Sequence, residues 1–283
     1  MIRATRLILY VSVLSAALLA NAPAQILGQS NEKLAEAPTR AFNDTLPFKS
    51  GETLTIQVTF SKLILSGVVG EIRITASQPA QPEGSEPSDI IQLHAEATSK
   101  GFFPALLKVK VKDSFDSVVR LSDFALQKST KRIEEGKIKR EEQSDVDHDR
   151  KRVIFTARDL ANAKANPRTK EVPCTSSIQD LLSVIYFVRT LPLRDGDVIP
   201  ITMYDAGEMF EKVEVAVGNR EEIKTDAGRF KTVKLIARVF DGRFFKRPGD
   251  LVVWLTDDAR RLPIRARART SGVTVTADLK KVP

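Results

Sequence analysis

An all-β fold is predicted for this chain by three observations. Short stretches alternate apolar and polar residues, the period of a half-buried strand. Turns carrying glycine, proline or aspartate separate them. Beyond the N-terminus, only Cys174 to Leu193 carries helical spacing. The expected architecture is an antiparallel barrel or clam-like curved sheet of two similar halves with one central helix.

Order begins near Leu46, after a flexible leader over residues 25–45. Gly51 to Phe60 alternates Leu54, Ile56 and Val58 with Thr53, Thr55 and Gln57, and Val68 to Ser77 repeats the pattern with Ile72 and Ile74. Residues 78–88, QPAQPEGSEPS, form a loop with nothing to pack. Strands resume at Asp89 to Thr98 and, after GFFPALL at 101–107, at Lys108 to Arg120. Ala125 to Glu134 and Lys137 to Ser144 flank Glu135-Gly136, the chemistry of a tight hairpin. Arg150 to Thr156 is another strand, and 158–173 is an irregular approach to the helix. Ser176 and Gln179 have capping-box spacing, Ile178, Leu181, Leu182 and Ile185 form the apolar stripe, and Pro192 stops the helix. Strands follow at Asp197 to Tyr204, at Glu208 to Gly218 with Val213 and Val215 on one side, and at Arg229 to Phe240. Leu251 to Leu255, Leu262 to Thr270 and Val273 to Leu279 close the chain.

The helix, at 176–190, separates two similar halves, 46–157 and 191–280, within a single β domain spanning 46–283. Leu46-Pro47-Phe48-Lys49-Ser50-Gly51-Glu52 is echoed by Leu191-Pro192-Leu193-Arg194-Asp195-Gly196-Asp197. Gly101-Phe102-Phe103 is matched by Gly242-Arg243-Phe244-Phe245, and Leu121-Ser122-Asp123 by Leu255-Thr256-Asp257. Two copies are too few for a solenoid.

Residues 1–24 have the form of an export signal. Arg3 and Arg6 precede the apolar run Leu7 to Ala20, and Ala22-Pro23-Ala24 supplies the cleavage site. A periplasmic or secreted product starting after Ala24 is expected. Its single cysteine, Cys174, excludes an intramolecular disulfide. The formal charge of +8 falls to +6 without Arg3 and Arg6, a balance that favours anionic partners only moderately.

The stretches LPFKSGETLTIQVTF, SKGFFPALLKVKVKDSF, IQDLLSVIYFVRTLPLRDGD, TDAGRFKTVKL and LVVWLTDDARRLPIRARA occur in that order over residues 46–279. Together they resemble the domain of unknown function 3108 family of bacterial exported proteins. The resemblance implies an exported, predominantly β protein and supplies no catalytic residues. One departure is Tyr186-Phe187, where similar sequences tend to carry two tyrosines.

Candidate chemistry is sparse. Asp145, Asp147 and Asp149 lack the glycine and glutamate of a calcium loop, since Arg150 and Thr156 stand in those places. His94 and His148 are the only histidines, so no metal site is expected. Cys174 reads better as a small core residue than as a nucleophile, and Asp180 and Asp205 gain no support as an acid and base pair. Phosphate-binding loops and nucleophile elbows are absent, so no cofactor is expected and the chain is read as no enzyme. Basic residues gather on strand faces at Lys108/Lys110/Lys112, Lys128 to Arg132, Lys137 to Arg140 and Arg265/Arg267/Arg269. They read either as a solvated outer face or as a surface attracting an anionic membrane. Nucleic acid is not an expected partner, because no aromatics interleave the basic strands.

The functional expectation is a non-enzymatic envelope protein binding a lipid-like or hydrophobic ligand inside the β structure, with Ile72, Ile74, Val213, Val215 and Tyr186 as candidate ligand contacts. The alternatives are a structural or protein-interaction module with a filled core, and an envelope hydrolase. An interior cavity would separate the first from the second.

Overall fold

The computed structural model describes residues 46–80, 88–102, 104, 110–162, 164–174, 177–239, 249–270 and 272–283. The expected signal at 1–24, the leader at 25–45, Ser176, Lys108 and the Gly242 to Phe245 motif lie outside these residues. The strands are β1 (Thr53–Lys62), β2 (Leu65–Ser77), β3 (Ile90–Ser99), β4 (Lys112–Arg120), β5 (Ala125–Glu135), β6 (Ile138–Asp147), β7 (Arg152–Asp159) and β8 (Arg168–Pro173). Helix α1 (Ser183–Thr190) follows, then β9 (Val198–Asp205), β10 (Glu208–Thr225), β11 (Gly228–Ala237), β12 (Gly249–Thr256), β13 (Pro263–Thr270) and β14 (Val273–Lys281).

All these strands belong to one antiparallel sheet, ordered β8-β7-β6-β5-β4-β3-β2-β1-β14-β13-β12-β11-β10-β9. Apart from β8 and β9, which the helix separates, each neighbour in sequence is a neighbour in space, as short turns require. The first and last strands also pair, with Val58 opposite Ala277, so the two halves join edge to edge. The fold class is therefore the expected all-β curved sheet. Between the two outermost strands no ladder forms. Instead Lys170 of β8 donates to the Gly207 carbonyl at 2.8 Å, and Tyr204 of β9 meets Ser144 of β6 at 3.0 Å.

The two halves open on matching turns. Gly51 N donates to Ala76 O (2.8 Å) and Ala76 N to Glu52 O (3.0 Å); Gly196 N donates to Val217 O (2.9 Å) and Val217 N to Asp197 O (2.8 Å). Both glycines have left-handed φ, +89° and +86°, which a residue with a Cβ adopts only with strain. Leu121-Ser122-Asp123 follows the fourth strand of the first half, and Leu255-Thr256-Asp257 ends the fourth strand of the second.

Two stretches differ from the sequence expectation. Residues 168–173, read as irregular, form β8, which pairs only with β7 and leaves most of its side chains exposed, so no burial alternation marks it. The helix starts at Ser183, not near Ser176, because Gln179 is engaged elsewhere: its N donates to Thr202 O (2.9 Å) and its carbonyl accepts from Tyr204 N (2.8 Å). Those bonds satisfy part of the open edge of β9. Asp180 takes over the capping role, accepting from Leu182 N at 3.1 Å and Ser183 N at 2.7 Å, while Ser183 Oγ accepts from Asp180 N at 2.9 Å. This reciprocal pair satisfies amides that a helix start leaves free.

No residue of α1 is exposed, so the helix lies within the curve of the sheet. Its deepest charge is Arg189, whose side chain is wholly buried. The guanidinium donates to both Glu52 oxygens (2.6 and 2.9 Å), to Pro47 O (3.0 Å) and to Arg260 O (3.1 Å). It also stacks on Tyr186, 4.9 Å from the ring centroid, and on Phe48 at 5.2 Å. One side chain thus ties the helix to the opening turn of the first half and to the β12–β13 turn of the second.

Candidate ligand-binding site

Alternation along the strands sends one apolar set inward from each half. Ile56 and Val58, Ile72 and Ile74, Ala95 and Ala97, and Phe115 come from β1 to β4; Ile201, Met203, Val213, Val215, Leu235 and Val253 are among those from β9 to β12. Leu181, Leu182, Val184, Ile185 and Val188, on and just before α1, form the third wall. They enclose a cavity of about 310 Å³. The space exists because several inward positions are small: Ala95, Ala97, Ala237, Ala266, Ala268 and Ala277 stand where leucine or phenylalanine would fill it. Arg265 is the single charged residue of the wall, and its guanidinium is turned into a fork on Asp278 at 2.5 and 2.9 Å. The surface that the described residues present to an occupant is therefore almost purely apolar, and none of them there is a general acid, base or nucleophile.

The structure places Ile72, Ile74, Val213 and Val215 on this wall, from opposite halves of the sheet. Tyr186 is not on it. Helical geometry turns Tyr186 away from Ile185, toward an edge-on contact with Phe48 at 4.9 Å between ring centroids, where it is fully buried. Cys174 is packed in the same core cluster as Tyr186 and Phe124. His94 is bound at 2.7 Å by Asp116, and His148 faces the Leu126 carbonyl at 3.0 Å. Among the described residues no group of histidine, cysteine and carboxylate side chains is arranged to hold a metal.

The basic strand faces are only partly realised. Arg267 lies over the Trp254 ring at 4.8 Å, Lys128 pairs with Asp145 at 3.4 Å, and Lys131 points inward instead of outward. It belongs to a buried polar clasp that sequence reasoning missed. Lys131 is paired with Asp205, Ser117 Oγ donates to Asp180 at 2.6 Å, and Ser144 meets the Tyr204 hydroxyl, with Ser129 and Glu142 buried beside them. In register, Ser117, Ser129 and Ser144 form one row across β4, β5 and β6. The signal was present as polar residues in the inward phase of those strands. Space within the clasp is about 10 Å³, room for no more than one water, so it reads as a closure between the first half and β9. Asp180 and Asp205 are each consumed in it by structural partners.

Desolvation in the clasp depresses the Lys131 pKa and pushes the Tyr204 phenol up to about 12; burial likewise pushes Tyr186 up. The chain's remaining tyrosine is Tyr10, so in protein starting at Gln25 phenolate absorbance reports on these two alone. Both stay protonated in the fold where an unfolded chain, with pKa ~10, ionises them. Their contribution to stability is complete below pH ~10 and is lost as pH climbs toward about 12, by about 2–3 kcal/mol for Tyr204. Denaturant titrations across that window are expected to show the decline, and Tyr204→Phe to flatten it. Two phenols ionising near pH ~10 in the folded protein would contradict their burial.

Comparison with known proteins bears on the fold. A Brucella abortus protein of domain of unknown function DUF1849, described as β-barrel-like, superposes with a TM-score of 0.50 at 9% identity, over 81% of this chain and 95% of that one. A Bacteroides fragilis protein, provisionally described as exported with a YmcC-like fold, gives 0.33 at 9% identity, over 84% and 98% of the two chains. A Parabacteroides distasonis chain, provisionally described as a lipoprotein, gives 0.35 at 8% identity, over 84% and 97%. No curated protein matches. The family model described as "Protein of unknown function (DUF3108)" matches residues 57–280, which takes in thirteen of the strands entirely or nearly so, the helix and every cavity-wall residue but Ile56, and the chain belongs to that family.

Proposed function

We propose that this chain is an exported, non-enzymatic binding protein of the cell envelope that holds a lipid-like apolar ligand between the two halves of its sheet. The observation that carries the reading is the cavity of about 310 Å³ with a nearly uncharged wall. Its volume lies at the lower end of small-molecule sites, roughly 300–1,000 Å³. A wall of this kind without an occupant would forgo packing worth about 7 kcal/mol at roughly 24 cal/mol per Å³. That is comparable to the whole net stability of a domain, about 5–15 kcal/mol, and an occupant would restore much of it. A core filled by its own side chains would favour the structural-module reading; the alanine wall supports binding instead. Export rests on the N-terminal signal pattern of Arg3 to Ala24.

The test is native mass spectrometry and solvent extraction of protein purified from its own periplasm, compared with Ala97→Leu/Ala266→Phe. The wild type is expected to carry an apolar molecule. The double variant should carry about tenfold less or lower, since lost occupancy tracks lost cavity, while melting no earlier than the parent. An empty wild type, with the variant indistinguishable in binding a fluorescent fatty-acid probe, would sink the proposal.

A further inference from the structure

In an antiparallel meander alternate hairpins fall on the same rim, so β1–β2, β3–β4, β5–β6 and β7–β8 all turn at one end of the sheet. Backbone bonds knit these turns together. Lys100 N donates to Val69 O (3.0 Å), Gly136 N to Lys110 O (3.1 Å) and Leu160 N to Lys139 O (2.8 Å). Every large apolar side chain exposed among the described residues sits there: Leu63, Ile64, Leu65, Phe102, Ile138 and Leu160. The β1–β2 tip is the extreme case, with Leu63 at 90% and Ile64 at 98% exposure. Single exposed apolar residues need no explanation, but their collection on one rim does.

Charge on this rim is mostly positive. Lys62, Lys110, Lys112, Lys137 and Lys139 are exposed, and no carboxylate pairs with them among the described residues; Lys100 is held by Glu71 at 3.1 Å. Of the rim carboxylates, Glu134 is taken up by Arg132 at 3.1 Å, Glu135 is hydrogen-bonded with Asp113, and the exposed Asp159 accepts from Ala161 N at 2.9 Å. The opposite rim is built otherwise. Its turns hold Asp123, Asp147 and Asp258, paired with Arg120, Arg150 and Arg260, and no large apolar side chain is exposed there among the described residues. Apolar tips flanked by uncompensated lysines complement a surface that is negatively charged outside and hydrocarbon beneath.

We propose that the rim of the β1–β2, β3–β4, β5–β6 and β7–β8 hairpins docks on an anionic membrane surface, with Leu63, Ile64 and Leu65 entering the headgroup boundary and the lysines meeting lipid phosphates. This surface is independent of whether the cavity holds a ligand.

Co-sedimentation with vesicles tests it, using phosphatidylethanolamine/phosphatidylglycerol against phosphatidylcholine alone. The protein is expected to bind the anionic vesicles preferentially and to release as salt rises. Ile64→Asp should weaken binding roughly tenfold or more, since a buried aliphatic side chain is replaced by a charge, without changing the melting temperature of so exposed a site. Lys62→Glu/Lys112→Glu should weaken binding to anionic vesicles only. Ile64→Trp should add an emission component that shifts to the blue on vesicle addition. Equal binding to both vesicle types, unchanged binding by Ile64→Asp, or self-association abolished by Ile64→Asp without vesicle binding would each overturn the proposal.

Discussion

Arg189→Met is expected to destabilise the fold by about 3–5 kcal/mol, the usual cost of removing one partner of a buried ion pair. The methionine fills much of the same volume but leaves the Glu52 carboxylate, with a side chain only 9% exposed, without its cation. It also releases the carbonyls of Pro47 and Arg260, which the guanidinium now joins. Lysine would not rescue the site, because a point charge cannot hold two carboxylate oxygens and two carbonyls in one plane. Chemical denaturation should show the loss, and Arg189→Met/Glu52→Gln should recover part of it, the difference being the coupling between the two residues. A single variant as stable as the parent would mean that Arg189 does not join the halves.

Lys131→Met is expected to cost a similar amount, about 3–5 kcal/mol, for a related reason. It strands Asp205, whose side chain is 8% exposed, beside buried Glu142. Lys131→Met/Asp205→Leu should be far milder, because well-packed apolar residues often replace a buried ion pair at little cost. The depressed Lys131 pKa adds a pH signature. The folded state binds this proton less readily than the unfolded chain, so the penalty is full at low pH and fades as pH rises through the depressed value toward ~10.4, the ordinary lysine value. Lys131→Met should remove that slope. Hydrogen exchange offers a second readout: losing the clasp should speed exchange in β9, whose outer edge is covered, among the described residues, around Gln179. If β9 exchanged at parental rates in Lys131→Met, the clasp would not be what closes the curve.

Much of the fold was legible because its determinants are local. Leu54-Ile56-Val58 and Val213-Val215-Val217 announce their faces by period alone, and Gly51 and Gly196 announce their turns through a left-handed backbone that favours glycine. The wall residues Ile72, Ile74, Val213 and Val215 were accessible by the same logic, since inward phase is a property of each strand. Tyr186 was not, because a helix within a curved sheet has two buried faces, and composition does not say which faces the cavity. The β8 strand escaped because Arg168–Pro173 has a single buried side chain and no alternation to betray it.

The sequence by itself determined an all-β meander with twin opening turns and one helical segment, since period, turn chemistry and helical spacing are written within a few residues of one another. Tertiary structure alone decided where the helix begins, that Lys131 meets Asp205, that alanines from facing walls leave a cavity, and that four hairpins gather their apolar tips on one rim. Each of these is a relation between residues far apart in the chain, set by how the sheet curls and which strand edge needs a partner.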